Sequence, residues 1–497
     1  MQHNMKQFAK KNAPWIAPLG LSALLVACYP GTGCSSNKVH AQTSQTGPAI
    51  SASDRVYTAD QTSNTVSVID PLQNKLLGVI PLGGTIPKTL SPLYRGPLLV
   101  HGLGFSPDHK TLVVVAVGSN SVIFIDTDTN KVKGTLFVGR SPHEAFFTPD
   151  GSQVWTTVRG LDYISVADAV TMKEVRRVQV ADGPGMTMFS PDGKFAFIVS
   201  SFTPEVDVVD TSTYQVIAKV PQASSFSPNI AVSADGLQFW ICLKDVGKTQ
   251  VFSALPPFNQ IALLDTGPIT NHVNLVDNKL GKFAYVTVGG LNEVKVFTRD
   301  NSPKLVATIP VGPLPHGIWP SGDGSRVYVA LENGGMTQVI DTLSNQVIAN
   351  IPIGQTSQAL VYVPGASPSQ SAANLVPLSA IQTTDKINMV AAAGSPQPQA
   401  KATVSIDNQG ILDLLEIAAV GLAPKTDYFL YVVDSPQPPF KTMTKLALLT
   451  TNPDGGVVGQ AIGPLKQVAT SPAAGQDPSR QYLLVTPTDS TIPVLLQ

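Results

Sequence analysis

Residues 63–70 read Ser63-Asn64-Thr65-Val66-Ser67-Val68-Ile69-Asp70, and the phrase returns along the chain. Ser121-Val122-Ile123-Phe124-Ile125-Asp126 is a second copy, Ile164-Ser165-Val166-Ala167-Asp168 a third, and Val206-Asp207-Val208-Val209-Asp210 a fourth. Gln250-Val251-Phe252-Ser253 and Val294-Lys295-Val296-Phe297-Thr298 are weaker fifth and sixth copies, and Gln338-Val339-Ile340-Asp341 is the seventh. Counted from Asp70, the steps are 56, 42, 42, 43, 45 and 43 residues. A second phrase precedes most units and makes a turn: Ser106-Pro107-Asp108, Thr148-Pro149-Asp150-Gly151, Ser190-Pro191-Asp192-Gly193, Ser233-Ala234-Asp235-Gly236, Ser321-Gly322-Asp323-Gly324. Pro presets φ there, Asp caps the turn backbone and Gly takes the left-handed position. Each period therefore holds four short strands, A to D, rich in Val, Ile, Phe and Tyr. A four-stranded period of 40–45 residues is one propeller blade.

The first unit lacks strand A, and the missing piece follows the seventh as Gln358-Ala359-Leu360-Val361-Tyr362-Val363. Pairing it beside Arg55–Asp60 closes the ring and removes the open sheet edges. The expected architecture is all-β: a seven-bladed β-propeller over residues 52–366, a linker over 367–385, and a β-sandwich-like domain over 386–497. The last is read from about seven strand-like runs without the 42-residue period.

The phrases Val56-Tyr57-Thr58-Ala59-Asp60, Ser63–Asp70 and Tyr285-Val286-Thr287-Val288 resemble the YVTN-type β-propeller repeat. That family is similar in turn to the haem d1 domain of cytochrome cd1 and to the seven-bladed lactonases. The resemblance covers about two thirds of the chain. It implies a propeller, a cell-surface or periplasmic setting, and no particular chemistry.

Composition narrows the functional classes. Only 13% of the 497 residues are charged and the net charge is -1, which excludes a basic nucleic-acid footprint and a charged disordered tail. At the N-terminus, Lys6, Lys10 and Lys11 precede an apolar run from Trp15 to Ala27. Thirteen residues are too few to span a bilayer and suit a secretory signal. The run ends in Leu25-Val26-Ala27-Cys28, which resembles a bacterial lipobox with Cys28 lipidated; cleavage after Ala41 is the alternative. Residues 1–27 are thus read as a signal peptide and 28–51 as a flexible tether. The localisation expected is the cell envelope: lipid-anchored at the outer membrane, or periplasmic or extracellular.

No G-x-S-x-G, H-E-x-x-H or C-x-x-C-H motif is present. One constellation stands out. Six residues before the turn, strand A opens with His101, His143, Gly185, Pro228, His272, His316 and Gln358, in steps of 42, 42, 43, 44, 44 and 42. Four of the seven histidines fall on this register, at the mouth of the central channel. His101, His143, His272, His316 and Gln358 are therefore the candidate ligand or metal residues, with Zn or Cu the metals that imidazole suits. The competing reading makes each His a repeat residue that bonds the backbone of the next blade. The loops between strands B and C add Asp60, Arg159, Lys244 and Glu332 to the same face, a mixture suited to a small polar ligand or a peptide. Three functions follow from these residues. The first is a monomeric envelope scaffold that binds a protein or small polar ligand and touches the membrane only by its anchor. The second is a metal- or haem-dependent redox enzyme, and the third a lactonase-like hydrolase.

Overall fold

A computed structural model describes residues 47–83, 99–380, 384–408, 413–469 and 480–497. The signal segment, Cys28 and most of the tether lie outside the described residues. Seven four-stranded antiparallel sheets form a propeller. The turn chemistry is the expected one. In blade four, Ser190 donates its hydroxyl to Asp192 at 2.7 Å and accepts the Phe195 N–H at 3.0 Å, and Gly193 sits at φ 72°. Asp210 then opens the C–D turn by accepting the N–H groups of Ser212 and Thr213, both at 2.9 Å.

Strands B and C of the blades are largely buried because neighbouring blades pack on both their faces, whereas strand D alternates towards solvent. In blade three, strand C (Tyr163–Asp168) is buried almost throughout and strand D (Lys173–Gln179) is mostly exposed. Blades grip through aromatic pairs. Phe197 of blade four stacks on Phe239 of blade five with centroids 4.8 Å apart. Trp155 and Trp240 are fully buried, and each indole N–H is satisfied at 3.0 Å by a glutamine two residues earlier, Gln153 and Gln238.

The ring closes as expected. Strand Ser357–Val363 pairs antiparallel with Arg55–Asp60, so both ends of the propeller share blade one. The seam is also polar. Asp60 is fully buried and accepts hydroxyls from Thr58 (2.7 Å), Ser67 (2.6 Å) and Thr65 (3.2 Å). Ser67 and Ser63 in turn accept the backbone N–H groups of Gly354 and Gln355, each at 3.0 Å. Gly354 is required by this approach, because a Cβ there would lie 2.4 Å from the Asp60 carboxylate. Asp60 thus belongs to the seam, its carboxyl group taken up by buried hydroxyls.

The segment expected to be a linker is an ordered strap. Val376 pairs with Val79 through two 2.9 Å backbone bonds on the outer strand of blade one. Asp128 of blade two accepts from Ser367 and Ser369, and Asn374 donates to the Thr129 carbonyl. The C-terminal β-domain follows, starting at strand Thr384–Ala391. Its strands belong to one eight-stranded antiparallel sheet rather than the two of a sandwich. The sheet curls until its edge strands, Met443–Thr450 and Val457–Gly463, pack against each other, around a core that includes Leu415, Tyr428, Leu430 and Leu483. Among the described residues no helix is long and apolar enough to cross a membrane.

Burial raises the Asp60 pKa from 3.8 to about 6, against the pull of its hydroxyl donors. The folded state therefore holds this proton more tightly than the unfolded chain. Stability from this group is present below pH 4 and lost as pH rises through 6, by about 3 kcal/mol in total. Urea titrations between pH 4 and 7 are expected to show that decline in the wild type and a flatter profile in Asp60→Asn. Equal profiles would contradict the assignment.

Candidate functional site at the channel mouth

Strand A does not enter the channel as a plain strand. In blade three, Pro142 pairs with Val158 and Ala145 with Thr156, so His143 and Glu144 together face the single residue Thr157. The same two-for-one bulge holds His101 and Gly102 in blade two, Asn271 and His272 in blade six, and His316 and Gly317 in blade seven. A bulge cancels the strict alternation of side chains and re-aims them. The threonine opposite takes up the displaced backbone. Thr157 accepts the Glu144 N–H at 3.0 Å and donates to the Gly185 carbonyl, while Thr287 accepts the His272 N–H at 2.9 Å and donates to the His316 carbonyl.

The bulges revise the register read from spacing. His101, His143 and His316 share the first bulge position, and Gln358 holds the corresponding place on the closing strand. His272 stands one place on, level with Glu144, and Asn271 occupies the histidine position of blade six. Asn271 behaves as that position demands, donating to the Pro315 carbonyl of the next blade at 2.7 Å.

All four imidazoles nevertheless converge. Ring centroids are 4.3 Å apart for His101 and His143, 4.6 Å for His272 and His316, and 6.3 Å across the mouth for His101 and His316. His143 bonds the Gly185 carbonyl through Nδ1 at 2.8 Å, and His316 bonds the Gln358 carbonyl likewise. The blade-to-blade bond of the competing reading is thus real for two histidines, and it has a chemical result. A neutral ring that donates from Nδ1 keeps its lone pair on Nε2. Burial, then the neighbouring His101 and Arg159 side chains, holds His143 well below the usual imidazole pKa; burial and then Lys244 does the same for His316. Burial followed by His316 depresses His272. The His272 Nε2 and His101 Nδ1 atoms are buried without a hydrogen-bond partner.

Glu144, which spacing did not single out, lies beside this group. It is 2% exposed, and burial raises its pKa. Its Oε1 is unpartnered and sits 3.7 Å from His101 Nδ1. Gly102 makes room for it, since a Cβ there would lie 2.5 Å from the Glu144 carboxylate.

The C-terminal domain covers one side of the mouth. Thr62 and Thr356 of blade one donate to Asp407, Asn333 of blade seven donates to the Thr403 carbonyl, and Lys386 donates to the Gly334 carbonyl. Ile269 and Leu314 pack on Ala418 and Val420. Glu332 and Glu416 meet beneath this seat. Each has one oxygen held by an amide, Gln358 at 2.7 Å and Gln460 at 2.8 Å, and one left without a partner. Burial, then the neighbouring Glu332, raises the Glu416 pKa far above the carboxylate range, so Glu416 holds its proton in the fold. Half-buried Lys244 faces the pair, its own pKa lowered by burial.

Among the described residues, these contacts of the C-terminal domain fall outside the loops of blades two to four. A cavity of about 490 Å³ opens there, bordered by His101, His143, Gln61, Arg140, Arg159 and Phe202. Arg159 is half-buried over the Phe226 ring, 5.2 Å from its centroid, and among the described residues it has no carboxylate within ion-pair distance. Burial lowers its pKa to about 10. Inside the channel a second cavity, about 220 Å³, touches Glu144 and His272. Cys242 is a buried thiol whose pKa burial pushes up, so it is no nucleophile.

With this geometry in view, the chain can be set beside known proteins. Residues 138–346 match the model of the family described as lactonase, 7-bladed beta-propeller. Its likeness is to lactonase propellers. The matched span includes His143, Arg159, His272, His316 and Glu332. Among solved structures it is similar to a functionally unknown protein from Desulfotomaculum acetoxidans DSM 771, with 14% identity, TM-score 0.52, and coverage of 62% of this chain and 98% of that one. It is similar too to the periplasmic gluconolactonase PpgL of Pseudomonas aeruginosa, with 19% identity, TM-score 0.50, and coverage of 62% and 99%. At these identities the likeness is one of fold. No curated protein matches the chain.

The Glu416 proton sets a pH dependence on the seat. Because the folded pKa of Glu416 is raised, its contribution is present at low pH and lost as pH rises. Melting temperature is expected to fall as pH climbs above the ordinary carboxylate range, and Glu416→Gln is expected to recover about 1–3 kcal/mol at alkaline pH, since a neutral amide can donate to Glu332. A variant no more stable than the wild type at alkaline pH would contradict the assignment.

Proposed function

We propose that this is a cell-envelope β-propeller that binds a small, oxygen-rich anion in the cavity on the open side of its channel mouth. One observation carries the reading: Arg159, a half-buried guanidinium without a carboxylate partner, borders that cavity together with His101 and His143. A desolvated cation without a counter-charge is stabilised by any carboxylate that reaches it, and the planar guanidinium suits bidentate contact. Gln61 and Arg140 add polar groups on the rim. The C-terminal sheet restricts entry to the side of blades two to four. The N-terminal signal reading and the YVTN-type repeat support the envelope setting and an anchor at Cys28.

A second reading, lactonase-like hydrolysis, is favoured by the family match over residues 138–346 and by the likeness to the gluconolactonase PpgL. It uses the same cavity, because an aldonate is the product of aldonolactone opening. His143 on its border, and Glu144 beside it on the inner cavity, are the groups available to handle a proton.

D-Gluconate and glucono-δ-lactone are the probes. Calorimetry on the full-length protein is expected to show saturable gluconate binding, weakened at least tenfold in Arg159→Gln and little changed in Lys425→Gln, which lies in a turn of the C-terminal domain. Binding that is absent, or equal in Arg159→Gln, would overturn the anion site. Lactone opening above the spontaneous rate, lost in Glu144→Gln, would select the hydrolase reading; a rate equal to the spontaneous one would reject it.

A further inference from the structure

We infer that His101, His143 and Glu144 form a binding site for one divalent transition-metal ion, Zn²⁺ by its donor set, on the wall between the two cavities of the channel mouth. The inference deepens the anion-binding reading, since the ion and Arg159 would together receive the ligand. It does not need that reading to hold, because the ion's own ligands are all side chains of this protein.

The first support is distance. One ligand atom from each of the three residues lies within 4.8 Å of the others, and all three residues are buried. Tetrahedral bonds of ~2.0–2.1 Å put neighbouring ligand atoms ~3.3–3.4 Å apart. The separation of 3.7 Å between His101 Nδ1 and Glu144 Oε1 is too long for a hydrogen bond and close to what two ligands of one ion require.

The second support is unsatisfied chemistry. His101 Nδ1 and Glu144 Oε1 are both buried without a hydrogen-bond partner. Buried polar atoms are nearly always satisfied, whereas these two meet only each other, at the long end of ion-pair distance. A dication there would accept both lone pairs and offset the cost of the buried carboxylate.

The third support is tautomer and orientation. His143 spends Nδ1 on the Gly185 carbonyl, which fixes the ring and leaves Nε2 as a lone-pair donor. This is the outer contact that metal-bound histidines ordinarily make. The bulge of blade three lets consecutive residues, His143 and Glu144, serve one centre, and Gly102 clears the space between. Two His and one Glu leave a fourth position for water or an anion. The cavity bordered by His101, His143 and Arg159 lies on that side. Opposite, His272 Nε2 and the His316 ring supply further neutral nitrogen.

The test uses full-length protein prepared without a histidine tag and stripped with chelator. Zn²⁺ titration followed by calorimetry, with Co²⁺ spectra as a second readout, is expected to show one saturable site per chain and the visible bands of tetrahedral Co²⁺. Glu144→Gln and His101→Gln are each expected to weaken binding about 100-fold, with wild-type circular dichroism. His109→Gln is expected to bind as wild type. Affinity should also fall at acid pH, as protons compete with the ion for its nitrogen and carboxylate ligands. No saturable uptake, or uptake equal in wild type and the Glu144→Gln, His101→Gln double variant, would overturn the site. Should either single variant lose its fold, Glu144→Asp, which keeps the charge and retracts the donor, gives the same comparison. Gluconate binding by chelator-stripped protein that takes up no Zn²⁺ would leave the anion site standing and reject the metal. Zn²⁺ uptake without gluconate binding would do the reverse.

Discussion

The fold rests on one strand pairing, Ser357–Val363 against Arg55–Asp60, which joins the end of the propeller to its beginning. A ring of seven sheets has no internal reason to stop turning until its last sheet is completed by its first strands. Once the pairing forms, the radius of the channel is set, and with it the distances among seven strand-A entrances. A slip of one residue at the seam would turn every side chain of the strand to the other face. Asp60, with its three hydroxyl donors and the close approach of Gly354, holds the register against that slip.

From that geometry the site follows through a second device, the bulge at the entrance of strand A. It places two residues where a regular strand has one, and the threonine opposite satisfies the displaced backbone in blades three and six. Histidine at the first position can bond the next blade and still present Nε2 to the channel. Glutamate at the second position of blade three then comes beside it. The C-terminal sheet adds asymmetry, since among the described residues its contacts with the mouth come from blades one and five to seven. A symmetric repeat becomes a site with one entrance.

Much of this was legible in the sequence, because blades are local objects. The Asp phrases and Pro-Asp-Gly turns fix strand ends by short-range backbone chemistry, and the orphan strand after Asp341 announces the closure. The histidine positions were legible to within one residue. His272 was misplaced because strand A of blade six is longer, Thr270–Asn278, and carries no turn motif from which to count. Glu144 was passed over because alternation assigns neighbouring residues to opposite faces, and only the bulge cancels that rule. Asp60 read as a mouth charge, yet three hydroxyls of its own hairpin and the close approach of distant Gly354 bury it in the seam. The strap over residues 367–376 and the seat of the C-terminal domain depend on pairings between distant segments, such as Val79 with Val376 and Asn333 with Thr403, which no periodicity encodes.

The central claim is that blade-to-blade bonds lock channel imidazoles with their Nε2 lone pairs exposed to the mouth. Long-range proton–nitrogen NMR spectra of chelator-stripped protein, ¹⁵N-labelled at histidine, test it directly at pH 7.5. The account predicts that His143 and His316 carry their proton on Nδ1, with an unprotonated Nε2 resonance for each. A proton on Nε2 in both rings would mean that they point their donors into the channel, and would contradict it.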